Sequence, residues 1–311
     1  MSDWNMPEGN LMAGKRGIVM GVANQNSIAW GISKQLAAQG AEIAFTYQGE
    51  GLERRVRPLV ESIGMDFMIP ADVTDDESMD AAFAAVKEKW GKIDFLVHSI
   101  AFAGKEELMG SMVANTSREG FRRAMDISVY SFIDCSRRAS EMMPDGGSII
   151  CMTYLGAERV VPSYNVMGVA KAAFEAVSRY VARDLGPQGI RCNVVSAGPI
   201  KTTAAKHIPG FDQMESNWDT RAPLGWDSSD PEPAAKAVFG MTLVVNAAQH
   251  AFSNMPEISS SLLEGGEKKK IVFMDSPKMS TYLLAWCVGE FDFVQGFTEH
   301  GVRVRVALRG E

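Results

Sequence analysis

Cysteine and histidine are scarce in this 311-residue chain, with four of each. Cys135, Cys151, Cys192 and Cys287 stand far apart and form no Cys-x-x-Cys pair. No disulfide framework of an extracellular fold is expected, and the four read as small buried hydrophobes in a reducing compartment. His98, His207, His250 and His300 are equally isolated, so no metal site is expected. Long apolar runs are missing too. Nothing approaches the roughly 18–20 uninterrupted apolar residues of a membrane-spanning helix. Met1-Ser2-Asp3-Trp4-Asn5 has neither the basic region nor the apolar block of a secretory signal. A cytoplasmic protein with no membrane partner is the expectation. Positive charge is not in excess: 31 Lys and Arg against 38 Asp and Glu leave −7, with no basic stripe for a phosphate backbone. Nucleic acid is therefore not expected as a partner.

What is present is an ordinary globular composition, 46% hydrophobic and 22% charged, enough for a sizeable core in one large domain or two medium ones. From Gly14 to about Ile200 short apolar runs alternate with amphipathic stretches. The runs Gly17–Val22, Glu42–Tyr47, Asp66–Pro70, Ile93–Ser99, Ser148–Thr153 and Ile190–Ser196 predict strands covered on both faces. Ile28–Gln39, Gly51–Ser62, Ser78–Trp90, Ser117–Met142 and Ser163–Leu185 predict helices between them, the pattern of a doubly wound α/β sheet. Beyond Ile200 a polar stretch leads into Asp227-Ser228-Ser229-Asp230-Pro231-Glu232-Pro233, which predicts a short helix over about 232–239. The texture then changes. Val302–Val306 alternates strictly, Phe291–Val294 nearly so, and Met241–Val245 and Ile271–Phe273 read as extended. Lys268-Lys269-Lys270 behind Gly265-Gly266 reads as a solvated turn, so 240–311 is expected to be β-rich and antiparallel.

The first run ends in Gly21-Val22-Ala23-Asn24-Gln25-Asn26-Ser27-Ile28-Ala29-Trp30-Gly31 and leads into a helix. Glycine lets backbone approach a pyrophosphate, and the N–H groups of a helix start favour an anion. The spacing Gly21, Ser27, Gly31 is looser than G-x-G-x-x-G, with Ser27 placed to cap the helix and bond phosphate; an ordinary strand-to-helix turn would look the same. Ala23 and Ile28 belong to this candidate cofactor loop. Other strand ends point the same way, because ligands of open α/β sheets sit there. Gln48 stands where an acid usually meets the adenosine ribose; being neutral, it favours NADH and leaves NADPH open. Asp72 and Val73 are placed to meet adenine, and Ser99, Ile100 and Ala101 are among the small residues that let a cofactor pass.

After the fifth run, Tyr164 and Lys171 lie seven residues apart in a helical stretch. That spacing is almost two turns, so both side chains project from one face. Beside a nicotinamide such a pair makes a reduction site: the Lys holds ribose hydroxyls and supplies positive field, and the Tyr O–H donates to an oxygen that gains negative charge. The same spacing also fits two residues at the edge of a core helix.

Residues of about 11–239 resemble bacterial enoyl-acyl-carrier-protein reductases, a divergent branch of the short-chain dehydrogenase/reductase superfamily. The resemblance is carried by Gly21–Gly31, Phe45-Thr46-Tyr47-Gln48, Asp72-Val73, His98-Ser99-Ile100, Tyr154-Leu155-Gly156-Ala157-Glu158-Arg159, Tyr164-Asn165-Val166-Met167-Gly168 through Lys171, and Ser196-Ala197-Gly198-Pro199-Ile200-Lys201-Thr202. The common carbonyl-reducing members carry Tyr-x3-Lys with a Ser thirteen residues before the Tyr; here those positions are Gly168 and Cys151. Tyr-x6-Lys with a second tyrosine at Tyr154 is the enoyl reductase pattern. The resemblance implies a Rossmann-type fold, a homotetramer, and NADH-dependent reduction of a trans-2-enoyl chain on acyl-carrier protein in fatty-acid elongation. It implies Tyr154, Tyr164 and Lys171 as catalytic residues, and Ala197, Gly198, Ile200 and Thr202 as holders of the nicotinamide carboxamide. Ala103, Met167, Ala204 and Phe211 would bind substrate with the two tyrosines, and 203–211 would be a mobile flap. The alternatives are a short-chain carbonyl reductase and a reductase fold that binds nucleotide without turnover.

From about Phe239 the chain resembles the end of the N-terminal β domain of M1 zinc aminopeptidases. Met241-Thr242-Leu243-Val244-Val245, Ser253-Asn254-Met255-Pro256 and Pro277–Glu290 carry that likeness. No H-E-x-x-H motif accompanies them. A β-rich segment without metal chemistry is thus expected to replace the usual last strand of the reductase sheet.

Overall fold

The computed structural model describes residues 9–202, 205, 208, 211, 236–237, 242–253, 257–273, 279–280, 286–289, 291–297 and 303–309. By its contacts the chain divides into two compact units, Met1–Ala222 with Asp227–Glu232, and Pro223–Trp226 with Pro233–Glu311.

The first unit is built on six strands: β1 (Arg16–Met20), β2 (Glu42–Tyr47), β3 (Met68–Pro70), β4 (Phe95–His98), β5 (Gly147–Thr153) and β6 (Ile190–Ser196). They lie in the order β3-β2-β1-β4-β5-β6, and all five pairings are parallel. That is the strand order of the Rossmann fold, whose ligands sit beyond the carboxyl ends where the order reverses. The helices are α1 (Ile28–Ala38), α2 (Gly49–Ser62), α3 (Asp76–Trp90), α4 (Met112–Asn115), α5 (Arg118–Met125), α6 (Ser131–Ser140) and α7 (Asn165–Leu185). A π-helical turn, Asp126–Tyr130, joins α5 to α6, where the sequence pattern predicts one uninterrupted helix.

Alternation along each strand divides the interior into two layers. Ile18 and Met20 of β1 join Met79 and Phe83 of α3, Phe132 and Cys135 of α6, and Ala170 and Phe174 of α7. Val19, between them, faces the other layer with Ala29 and Trp30 of α1 and Val56 and Val60 of α2. Burial on both faces is why these strands read as unbroken apolar runs. Cys135 and Cys151 are fully buried as expected, but Cys192 on β6 is only half-buried. Among the described residues β6 pairs with β5 alone, so it has no neighbour to cover its far side. Among these residues, too, no helix is long and apolar enough to cross a membrane.

The second unit is antiparallel throughout its described residues. Strands Thr242–Asn246, Glu257–Leu262 and Lys268–Phe273 form one sheet. His250–Ser253 pairs with Trp286–Gly289, and Phe291–Phe297 with Arg303–Arg309. Two local expectations are corrected. Lys236–Ala237 is extended and pairs with Met279–Ser280, so a partner distant in sequence overrides the helix signals of 232–239; the rest of that stretch lies outside the described residues. Lys268–Lys270 begins a strand, and the turn sits just before it, at Gly265 (φ 94°) and Gly266 (φ 72°).

Candidate active site

The candidate phosphate-binding loop starts where β1 stops. Gly21 has φ 101°, and a Cβ there would stand 2.0 Å from the Ser99 carbonyl oxygen. Only glycine lets the ends of β1 and β4 approach this closely. The loop then turns on Ser27, whose Oγ accepts from the N–H groups of Ala23 (3.0 Å) and Asn24 (3.1 Å). The hydroxyl was expected to cap α1; it faces back into the loop instead, and the first turn of α1 has no side-chain cap. Uncapped N–H groups at a helix start, behind a loop where a Cβ is excluded, fit a phosphate group.

Gln48 and Asp72, expected at the ribose and the adenine, meet directly: Gln48 Nε2 donates to Asp72 Oδ2 at 2.7 Å. Asp72 Oδ1 also accepts from Thr74 N–H at 2.9 Å and Thr74 Oγ1–H at 2.7 Å. Burial pushes the Asp72 carboxyl up, but these bonds and the Arg123 charge outweigh it and hold the group below its ordinary value. Beyond β4, Phe102 N–H donates to Ser128 Oγ (3.0 Å) and Ser128 Oγ–H returns to Phe102 O (3.2 Å), so the π-helical turn pins the segment that follows Ser99, Ile100 and Ala101. His98 Nε2–H donates to Ser131 Oγ at 2.8 Å, because the Ser131 hydrogen is committed to Ile127 O at 2.6 Å. His98 Nδ1 is left buried without a hydrogen-bond partner. Burial first, and the Lys171 charge second, lower its pKa to about 3.

The candidate catalytic residues gather around β5 and α7. Tyr164 immediately precedes α7, Lys171 lies within it, and each is 7% exposed. Ser163 (φ 62°) and Asn165 (φ 37°) are held in the left-handed region on either side of Tyr164, strain of the kind that concentrates at functional sites. The Tyr164 ring meets Tyr154 edge-on, with centroids 5.2 Å apart at 67°. It packs with Leu108 and Met167, and Ala103, Tyr154, Val161 and Ile208 close the cluster. Burial, with Tyr154 adding, pushes the Tyr164 phenol well above its ordinary value, so it stays protonated. A Cβ on Gly156 would stand 2.3 Å from Tyr164 Cδ1, so the glycine supports the ring face. Lys171 Nζ donates to Met152 O at 2.6 Å, and burial lowers its pKa to about 8. Cys151, at the position where carbonyl reductases carry a serine, points its Sγ–H at Asn193 O, 3.6 Å away.

Parallel pairing of Thr153 with Ser196 places Tyr154 and Ala197 at adjacent strand ends. Ile200 is buried, Thr202 N–H donates to Ile200 O at 2.7 Å, and Thr202 Oγ1 accepts from Ala205 N–H at 3.0 Å. Phe211 is buried, its N–H on Ile208 O at 3.2 Å, whereas Ala204 lies outside the described residues.

A family model described as "Enoyl-(Acyl carrier protein) reductase" matches residues 21–248. The chain belongs to this family. Among its enoyl reductase relatives, enoyl-[acyl-carrier-protein] reductase [NADH] 1 of Rhizobium meliloti (strain 1021) is 55% identical over 74% of this chain and 84% of its own length. The crystal structure of the Anaplasma phagocytophilum reductase in complex with NAD aligns over 69% of this chain and 79% of that one, at 48% identity and TM-score 0.64. The Bacillus cereus enoyl-acyl carrier protein reductase, solved with NADP+ and indole naphthyridinone, aligns over 71% and 86% at 47% identity and TM-score 0.69. A second model, the peptidase M1 N-terminal domain, matches residues 226–283, where the sequence carries its second likeness.

The enoyl reductase fold gathers Ala103, Tyr154, Tyr164 and Met167 into one cluster. Sequence reading missed Leu108, gave Ile208 no role of its own within 203–211, and missed Ser128. The first two are single apolar residues in irregular stretches, and Ser128 reads as an ordinary helical serine until the π-helical turn aims it at Phe102.

Proposed function

We propose that this chain reduces the carbon–carbon double bond of a trans-2-enoyl thioester with NADH, in fatty-acid elongation in the cytoplasm. The observation that carries the reading is the buried Tyr164 and Lys171, spaced as Tyr-x6-Lys, with Tyr154 edge-on to the phenol. NADH, when bound, supplies the hydride that the β-carbon receives. Tyr164, kept protonated by burial, donates its O–H to the thioester oxygen as charge gathers there, and a proton taken up from the medium at the α-carbon completes the saturated product. Lys171 spends one N–H on Met152 O and has two for ribose hydroxyls, and at neutral pH it keeps the positive charge that favours the developing oxyanion. Tyr154 orients the thioester. Leu108, Met167, Val161 and Ile208 give the acyl chain an apolar wall that excludes water.

The uncapped first turn of α1 with Gly21, Ala23, Ser27 and Ile28 takes the pyrophosphate; Gln48, Asp72 and Val73 take the adenosine. Ser99, Ile100 and Ala101 line its path, and Ala197, Gly198, Ile200 and Thr202 hold the carboxamide. Substrate contacts come from Ala103, Met167, Ala204 and Phe211. The acyl carrier is acyl-carrier protein. The reductase domain runs from about residue 11 to residue 232, and the β-rich segment begins ahead of residue 240, taking in Pro233–Glu311 with its Lys236–Ala237 strand. The outward Tyr130 (50% exposed) and Ile133 (43%), with Tyr180 of α7 (64%), support assembly into a homotetramer through these helices.

NADH absorbance in the presence of crotonyl or longer trans-2-enoyl thioesters tests the reading. Oxidation with a saturated product is expected, and Tyr164→Phe should abolish it. Nucleotide binding by fluorescence with no oxidation, or full activity in the Phe variant, refutes it.

A further inference from the structure

Two consecutive residues at the end of β5 are tied to two residues one turn apart on α7. Met152 O accepts from Lys171 Nζ at 2.6 Å. Thr153 Oγ1 donates to Glu175 Oε1 at 2.7 Å, with the threonine 6% exposed. Lys171 and Glu175, at i and i+4, are neighbours on the helix surface. The residue that follows the two ties, just past the end of β5, is Tyr154. We propose that Glu175, anchored by Thr153, is a positioning residue for the reduction, fixing α7 against the end of β5 and keeping Lys171 in its charged form. This rests on the roles given above to Tyr164 and Lys171.

The physical case begins with the surroundings of the ammonium. From β4 it faces the neutral His98 and from β5 the Cys151 thiol, and on α7 it has the Phe174 ring at 5.1 Å and Glu175. A carbonyl partner supplies a dipole. Glu175 supplies a full negative charge, which opposes the loss of the Lys171 proton by burial. The Thr153 bond matters because an unanchored glutamate on a helix turns to solvent, where its charge is screened. The clip therefore acts twice, on the distance between helix and strand and on the protonation of the cation.

Glu175→Gln keeps the size and the acceptor for Thr153 but removes the charge. NADH binding, followed by fluorescence without substrate from pH 6 to 9.5, should weaken in the wild type as pH rises through about 8 and in the Gln variant at a distinctly lower pH. At pH 6.5 the two should agree within about twofold, with kcat/KM profiles moving in parallel. Thr153→Val should raise the KM for NADH roughly tenfold, and Thr153→Ser should restore it. Thermal unfolding establishes that each variant is folded. Superimposable binding titrations for wild type and Glu175→Gln overturn the inference. A wild type that binds NADH but does not oxidise it with an enoyl thioester overturns the site reading instead, and the binding titration still decides on the clip.

Discussion

Adding one methyl group at Gly156 should cripple the chemistry while leaving nucleotide binding nearly intact. In Gly156→Ala the new Cβ would stand 2.3 Å from Tyr164 Cδ1 and 2.7 Å from Cε1. Ordinary carbon contacts lie at about 3.5–4.0 Å, so the ring must retreat by roughly 1 Å. It cannot do so freely, since Tyr154 meets it edge-on and Leu108 and Met167 pack around it. A misplacement of about 1 Å at a reacting group is worth on the order of 100-fold in rate, whereas overpacking of this kind costs about 1–3 kcal/mol of stability. We therefore expect kcat for enoyl thioester reduction to fall about 100-fold, with the KM for NADH within about threefold because the phosphate loop is remote from the change. Gly51→Ala on α2 is the control: no atom lies within 4 Å of the added Cβ, and no loss is expected. Urea titration would separate unfolding from misplacement. A folded Gly156→Ala enzyme with kcat within threefold of wild type would refute the assignment of Tyr164.

Three further outcomes are expected. The pKa of Lys171 is lowered from 10.5 to about 8 by burial, so the folded state binds fewer protons than the unfolded one between those values and stability rises with pH across that window, by on the order of 3 kcal/mol. Lys171→Met should lack this rise in urea titrations at pH 7 and 10, be the more stable protein at pH 7, and fail to bind NADH; a wild-type stability flat over the window would contradict this. His98, lowered from 6.5 to about 3, contributes stability that is complete above pH 6.5 and is lost as pH falls toward 3. His98→Gln should flatten that acid limb, and an unchanged limb would show that other groups govern it. Arg138 bonds Asp134 of α6 at 2.7 Å and Asp80 of α3, with its own side chain and that of Asp134 almost fully buried. Arg138→Ala should destabilise the fold by about 2–3 kcal/mol, since it leaves the buried Asp134 carboxylate with the half-exposed Arg137 at 2.6 Å as its one remaining ion pair and removes the tie to Asp80, and a loss below about 1 kcal/mol would show that Arg137 alone satisfies Asp134.

The sheet was legible because its central strands β1, β2 and β4 are buried on both faces and so stand out as apolar runs, and the loop between Gly21 and Gly31 was legible because close backbone approach demands glycine. Strand ends shifted where a glycine or a pairing decides them: β1 stops at Met20 because Gly21 turns to positive φ. The pair Tyr164 and Lys171 was readable as a spacing, while the strain at Ser163 and Asn165 was not, since neither residue type requires a left-handed conformation. Other features depend on partners far along the chain. Gln48 reaches Asp72, Ser128 reaches Phe102, and Lys236–Ala237 pairs with Met279–Ser280. Local pattern carries no record of such contacts, which is why a helix was expected over 232–239.

The division of the interior into two layers has an evolutionary consequence. Val19 and Met20 are adjacent on β1, yet Val19 packs beneath α1, whose first turn faces the phosphate loop, and Met20 packs beneath α7, which carries Lys171. Substitutions in the first layer reach the grip on the nucleotide, and those in the second reach the reacting groups. The grip of the phosphate loop can thus change under selection while the reacting groups are held constant, whereas a change beneath α7 touches both the ribose contact proposed for Lys171 and the chemical step.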